Sequence, residues 1–308
     1  MLIPDYKMKP PDQKTVLIIA GATAVGKTSV AIQIAKHFDT EIISADSRQC
    51  FKELNIGVAR PSVKELASVP HHFIASHSVQ NKVDAVVFEK YALDKLESIF
   101  KNHSLAVLVG GTGLYIKAFC EGMDEMPEIS EPIRQHIINT YEQKGIEWLQ
   151  RQLKNKDPEY YESGEMKNPQ RMMRALEIFE VTGMSILRLR SGNKIKRDFN
   201  IIKTGLELPK EELQRNIHTR VDKMIENGLV SEVESLKGFR NLNALQTVGY
   251  TELFEYADGK SSLVSATEKI KTNTRHYAKR QMTWFKKDKS INWFHPLAIK
   301  EMIEFIQK

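Results

Sequence analysis

The chain has 308 residues, 41% hydrophobic and 27% charged, a composition far from disordered or collagen-like chains and long enough for two domains or one domain with an insert. Two cysteines, Cys50 and Cys120, leave no disulfide framework and too few thiolates for a cysteine-built zinc site, so a reducing cytoplasmic setting is expected. The net charge is +6, yet residues 269–289 alone carry +7 and the remainder sums to −1, which marks either a solvated helix face or the footprint of a phosphate-rich partner.

The start, MLIPDYKMKPPDQK, has prolines and charges where a signal peptide is apolar, and no run reaches the roughly 18–20 apolar residues of a membrane span; neither secretion nor a membrane is expected. Residues 16–20 (VLIIA) form an apolar, β-branched run closed by glycine, as in a strand buried on both faces. A helix follows, because Val30, Ala31, Ile34, Ala35 and Phe38 keep helical spacing. Residues 41–44 (EIIS) read as a second strand and 105–109 (LAVLV) as a third. Residues 201–208 (IIKTGLEL) read as a fourth, its partner strand nearly a hundred residues upstream. Between the last two, residues 123–196 are amphipathic and helical, on positions such as Ile133, Ile137, Tyr141, Leu149, Leu153, Met172, Leu176 and Phe179. Pro127, Gly183 and the SGNK stretch at 191–194 punctuate them. After Leu208 helical patterns run almost to the end. The expected architecture is α/β: a P-loop NTPase-like parallel sheet flanked by helices, built from residues 1–122 and 197–308, with an all-helical insertion at 123–196.

Gly21-Ala22-Thr23-Ala24-Val25-Gly26-Lys27-Thr28 matches G-x-x-x-x-G-K-[ST] and lies between a buried strand and an amphipathic helix. Backbone N–H groups in such a loop curl around an anion at a helix N-terminus, Lys27 adds a point charge, and the Thr28 hydroxyl is placed to hold Mg²⁺. The loop is expected to bind a diphosphate or triphosphate. A nucleotide-hydrolysing motor ends a later strand in an acid, whereas the third strand runs into Gly110-Gly111-Thr112. Hydrolysis is therefore not expected, although weak ATP binding is compatible with the loop. Asp46, just beyond the second strand, is the well-placed carboxylate. It either faces the crevice shared by neighbouring strand ends or caps the turn that Ser47 begins, and Thr112 would join the same crevice.

The segments GATAVGKT (21–28), ADSRQCFKELNIGVARP (45–61), VPHHF (69–73), VGGTGLY (109–115), NPQRMMRALE (168–177), RVDKMIENGLVSEV (220–233), QTVGYTEL (246–253) and TRHYAKRQMTWF (274–285) stand in register along about 270 of the 308 residues. Together they resemble the tRNA dimethylallyltransferase family. The resemblance implies transfer of a dimethylallyl group from dimethylallyl diphosphate to N6 of adenosine 37 in tRNAs reading codons that begin with U. It further implies Mg²⁺ as cofactor, and a cytoplasmic monomer is expected. By the same resemblance Asp46 accepts the N6 proton, Thr112 lies near the adenosine and the donor, and Arg220 offers a planar fork to the diphosphate. Asp46, Ser47, Arg48 and Gln49 match the segment that meets the flipped base, where an amide such as Gln49 can read a base edge. Gln170, Arg171, Met172, Met173 and Arg174, with Arg134, match tRNA-contacting positions.

Asn168-Pro169 is a helix start, which puts Gln170 and Arg171 in a first turn where arginine opposes the helix dipole and an external anion is a fitting partner. Lys271, Arg275 and Lys279, four apart, are expected to track phosphates, and Tyr277, Trp284 and Phe285 to belong to the core. His71 and His72 read as structural or diphosphate-orienting. The chain departs from the family's pattern at Ala22, Cys50-Phe51, Val58, Arg60 and Ala75, and residues 75–88 match poorly. With no cysteine after Cys120, it resembles the bacterial form rather than relatives with a C-terminal zinc finger. The alternatives are an adenylate isopentenyltransferase acting on a free nucleotide, against which the insertion's arginines argue, and a P-loop small-molecule kinase or RNA-binding NTPase.

Overall fold

The computed structural model describes residues 13–190 and 192–307. Residues 1–12 and Ser191, parts of the opening segment and the SGNK stretch read above, lie outside the described residues, as does Lys308. The chain divides into two compact units, Met1–Glu121 with Lys196–Lys308, and Gly122–Ile195. The larger unit begins with β1 (Thr15–Gly21), α1 (Lys27–His37), β2 (Ile42–Ala45), α2 (Val63–Ser68), β3 (His71–His72), α3 (Ala85–Ile99), β4 (Leu105–Gly110) and α4 (Gly113–Glu121). The smaller unit holds α5 (Glu131–Lys156), α6 (Pro158–Ser163), α7 (Pro169–Thr182) and α8 (Ile186–Leu189). The larger unit resumes with β5 (Asn200–Leu206), α9 (Lys210–Glu226), α10 (Leu229–Ser235), α11 (Tyr250–Ala257), α12 (Leu263–Phe285), β6 (Asn292–Phe294) and α13 (Ile299–Ile306).

All strand pairs are parallel, in the order β3-β2-β4-β1-β5-β6. The P-loop-type parallel sheet expected from the sequence is present. Along β1, Val16, Ile18 and Ala20 enter one apolar layer while Leu17 and Ile19 enter the other, which explains an apolar run without alternation. α1 and α13 cover the second layer through Val30, Ile34, Met302 and Ile303, and Phe88, Phe119, Tyr250 and Phe285 fill the first. The crossover from β1 leads to β2 on one side, and the chain from β4 returns to β5 on the other. The carboxyl ends of β1 and β4 therefore straddle a topological switch point.

Three sequence expectations change. β5 pairs with β1 and β6, not with the strand nearly a hundred residues upstream. β3 and β6 were not foreseen, since two and three residues are too few to show a period of two. His72 bonds Glu41 through Nε2 at 2.5 Å, at the far end of β2 from Asp46, so the histidine pair is structural and does not orient a diphosphate.

In the smaller unit, α5 bends where Gly145 takes φ 70°, and Leu149, Leu153, Met172 and Leu176 form its core. The Asn168 side chain accepts the Arg171 N–H and Pro169 opens α7.

Gly110 lies so close to β2 that a Cβ there would overlap the Ala45 carbonyl, sitting 2.5 Å from its carbon. Gly110→Ala is therefore expected to remove about 3 kcal/mol of stability, read as a lower urea midpoint by circular dichroism. A loss under about 1 kcal/mol would mean that the two strand ends separate freely.

Candidate active site

β1 delivers the chain into the phosphate loop, and Gly26 takes φ 97°, a left-handed conformation that only glycine adopts cheaply, before α1 starts at Lys27. The Lys27 ammonium donates to the Ala22 carbonyl at 2.7 Å, folded across its own loop. Burial lowers its pKa to about 8, with Asp46 pulling upward and Arg220 pushing down. Burial also lowers the pKa of Arg220, again opposed by Asp46. These three charges, from the β1 loop, the end of β2 and α9, thus converge. α9 is docked onto the loop by Asn216, one turn before Arg220, whose amide donates to the Ala24 carbonyl at 3.4 Å.

Both readings of Asp46 hold at once. Its Oδ1 accepts the Arg48 and Gln49 N–H groups at 2.9 and 3.1 Å, capping the turn, while Oδ2 accepts no hydrogen bond among the described residues. Thr112 acts on the same turn: its Oγ1 accepts the Ser47 N–H at 3.1 Å and its own N–H donates to the Ala45 carbonyl at 3.2 Å. Arg48 reaches the Asn243 carbonyl oxygen of the side chain at 3.4 Å.

Asp46, Arg48 and Arg220 line a cavity of about 100 Å³ whose other walls include Val58, Met224, Val248 and Ile270. Thr112 is not on its lining; it bonds the residues on either side of Asp46, Ala45 and Ser47. Glu232 fixes the wall at Gly57-Val58 by accepting the N–H groups of Asn55, Ile56 and Gly57 at 3.2, 2.7 and 3.0 Å and the Tyr250 hydroxyl at 2.6 Å. A wider groove of about 990 Å³, bordered by Lys52, Asn55 and Lys223, shares Arg220 and Met224 with this cavity.

Several site assignments from the sequence need correction. The Gln49 amide nitrogen donates to the Val58 and Ala59 carbonyls at 3.2 and 3.0 Å, so it shapes its own loop and is not free to read a base edge. Met172 and Met173 are buried in the smaller unit's core and present no surface to RNA. Arg134 and Arg174 both reach the buried Glu177 carboxylate, at 3.4 and 3.2 Å, whereas Gln170 and Arg171 are exposed. Lys271 is spent on Asp222 and Glu268 at 2.7 and 2.9 Å, leaving Arg275 and Lys279 as the exposed pair of that row. Phe285 is core, but Tyr277 and Trp284 are partly exposed, and Tyr277 lines the cavity. Burial pushes the Tyr277 phenol up to about 12 and the Cys50 thiol up to about 12, so neither ionises to serve as a nucleophile near neutral pH.

Sequence reasoning missed Gln281 of α12, whose side chain accepts the Thr23 N–H at 2.8 Å and donates to the Gly111 carbonyl at 2.9 Å. It also missed the Thr247–Gly249 wall of the cavity, for which the glycine before α11, at φ 99°, was the available signal.

Among the described residues, no group of three or more His, Cys, Asp or Glu side chains is arranged to hold a metal. The Thr28 hydroxyl, in the first turn of α1, accepts or donates no hydrogen bond among the described residues, which fits a hard cation held by one hydroxyl, phosphate oxygens and water.

A family model described as IPP transferase matches residues 49–288. The tRNA dimethylallyltransferase of Christiangramia forsetii is 49% identical over 276 residues, covering 90% of this chain and 91% of that protein. The tRNA dimethylallyltransferase 2 of Azobacteroides pseudotrichonymphae is 47% identical over 288 residues, covering 94% of each. The crystal structure of the tRNA isopentenylpyrophosphate transferase from Bacillus halodurans superposes with a TM-score of 0.70 at 32% identity, over 96% of this chain and 95% of that one. A phosphate loop, a carboxylate and an arginine meeting at one switch point, on a chain alike to these enzymes over nearly its whole length, belong together: this chain is a member of the IPP transferase family, the tRNA dimethylallyltransferases.

Proposed function

We propose that this chain transfers the dimethylallyl group of dimethylallyl diphosphate to N6 of adenosine 37 in the anticodon loop of tRNAs that read codons beginning with U. The products are N6-(dimethylallyl)adenosine and diphosphate. The observation that carries this reading is the meeting of Lys27, Asp46 and Arg220 around one crevice. The N6–C1 bond forms as the C1–O bond breaks; the N6 proton goes to Asp46 Oδ2, and the charge growing on the leaving oxygen is met by loop N–H groups, Lys27 and Arg220. A cavity of about 100 Å³ suits five carbons, given that an apolar cavity of about 150 Å³ holds benzene. Mg²⁺, held by Thr28 and the diphosphate oxygens, would add Lewis-acid stabilisation of the leaving group.

The phosphate loop serves a leaving group and not a hydrolysed nucleotide, since Gly110-Gly111 stands where a hydrolase carries an acid. The smaller unit reads the anticodon arm through exposed Gln170 and Arg171 and through Arg174, whose guanidinium Glu177 orients. A cytoplasmic monomer is part of this reading, and a tRNA substrate is in keeping with that location. The direct test is nucleoside mass spectrometry of unmodified tRNA incubated with the protein, Mg²⁺ and dimethylallyl diphosphate; absence of the N6-dimethylallyl product rejects the reading.

Asp46→Asn keeps the Oδ1 cap and loses the proton acceptor. Its single-turnover transfer rate is expected to fall about 10²- to 10⁴-fold, roughly 3 to 5 kcal/mol of barrier, with tRNA affinity little changed. A drop under about tenfold rejects Asp46 as the base.

Diphosphate binding raises the depressed Lys27 pKa, so binding takes up a proton once the free protein has lost it. The Kd for dimethylallyl diphosphate should be flat below the depressed Lys27 value of about 8 and weaken above it, by about tenfold per pH unit. Isothermal titration across that range checks it, and a flat profile would mean Lys27 is charged throughout.

Arg171→Ala with Arg174→Ala should weaken tRNA binding and lower its salt slope by up to about one unit per lost phosphate contact, with dimethylallyl diphosphate affinity unchanged. Wild-type tRNA affinity at moderate salt in filter binding would reject the insertion as reader.

A further inference from the structure

Gln281 is 7% exposed and sits at the seam between the phosphate loop and the end of β4. Its Oε1 accepts the Thr23 N–H at 2.8 Å and its Nε2 donates to the Gly111 carbonyl at 2.9 Å. A primary amide meets both needs because it carries an acceptor and donors on one plane. Gly111 is matched to it, since a Cβ there would collide with Nε2. Thr112, the next residue, holds the Asp46 turn through Ser47 and Ala45. Hydrogen bonds joined by the Gly111–Thr112 peptide link thus run from the phosphate loop through Gln281 to the turn that carries Asp46.

We propose that Gln281 is a positioning residue that sets the separation between the diphosphate and the carboxylate that takes the N6 proton, and so aligns the two substrates with each other. The inference rests on the roles of Lys27 and Asp46 proposed above. Gln281 is bonded to loop and strand-end backbone and to the Tyr277 phenol one turn earlier on α12, and not to Lys27, Arg220 or Asp46. Its removal therefore leaves the binding groups in place and shifts one half of the site against the other. Transfer between two bound reactants is sensitive to that shift, because a misplacement of about 1 Å costs on the order of 10²-fold in rate.

The test uses Gln281→Met, which keeps the volume and loses the hydrogen bonds to Thr23 and Gly111, and Gly111→Ala, which displaces the same amide from the other side. In each, the single-turnover rate at saturating tRNA and dimethylallyl diphosphate should fall by about 30-fold or more, while the Kd of each substrate stays within about threefold. The double variant should be no slower than the slower single one, because both changes break one strut. Gln281→Glu supplies the rescue: relative to wild type it should gain activity as the pH is lowered from about 8 to about 6, where a protonated carboxyl again donates to Gly111.

A Gln281→Met rate within about threefold of wild type overturns the proposal, as does a loss that tracks one weakened Kd or rate losses that add in the double variant. Failure of both Gln281→Met and Gly111→Ala to fold, by circular dichroism, overturns it as well, since the amide would then serve stability alone. Normal transfer by the unmutated chain together with unaffected variants rejects only the role of Gln281, whereas no transfer by the unmutated chain rejects the functional reading beneath it.

Discussion

The close approach of backbone at the end of β4 is the constraint on which the site depends. With no side chain at Gly110, β4 can end against the Ala45 carbonyl, and with none at Gly111 the Gln281 amide can insert between β4 and the phosphate loop. The ends of β1, β2 and β4 are thereby tied together by hydrogen bonds between backbone groups and two side chains, Thr112 and Gln281. Strand order supplies the crevice, because crossovers leave β1 and β4 in opposite directions. The same pair of glycines stands where a nucleotide-hydrolysing P-loop protein carries its acid, in line with the proposed reaction, in which the loop serves a leaving group.

Electrostatics follow from that geometry. Two cations, Lys27 and Arg220, are held in partly desolvated positions around one carboxylate, and burial depresses both of their pKa values against the pull of Asp46. A site with two confined positive charges and one negative charge gains when an anion arrives. Lys27 donates to the Ala22 carbonyl, a bond that a phosphate oxygen can replace. In the proposed reaction the anion is the leaving group, so stabilisation grows as its charge grows, which is how binding groups come to lower a barrier.

In the smaller unit, polar order is built from a buried acid outward. Glu177 sits in α7 among Met172, Met173, Ala175 and Leu176 and receives both Arg134 and Arg174. An unpaired carboxylate there would be costly, and two half-exposed guanidiniums satisfy it while remaining at the surface. A similar economy thins out the basic α12: Lys271 is committed to Asp222 and Glu268, so the +7 of its segment overstates the charge free for a phosphate-rich partner.

What the sequence determined by itself is local. The phosphate loop, its strand before and helix after, the Asn168-Pro169 helix start and the helical insertion are all written in residues within a few positions of one another, where backbone preference and periodicity act. Asp46 was legible as a carboxylate at a strand end, and it both caps the turn after β2 through Oδ1 and lines the cavity. Tertiary structure alone decided which side chains remain available. Gln49 is spent on the carbonyls of Val58 and Ala59, and Met172 and Met173 turn inward beside an outward Arg171, a difference of about 100° per residue around the helix axis. The neighbour of β5, the short edge strands β3 and β6, and the Gln281 strut belong to the same class. Thr23 and Gln281 are 258 residues apart in the chain, and nothing in the spacing of either marks the other. A hydrogen bond of that span is set by how packed layers bring distant backbone together, and no local pattern encodes it.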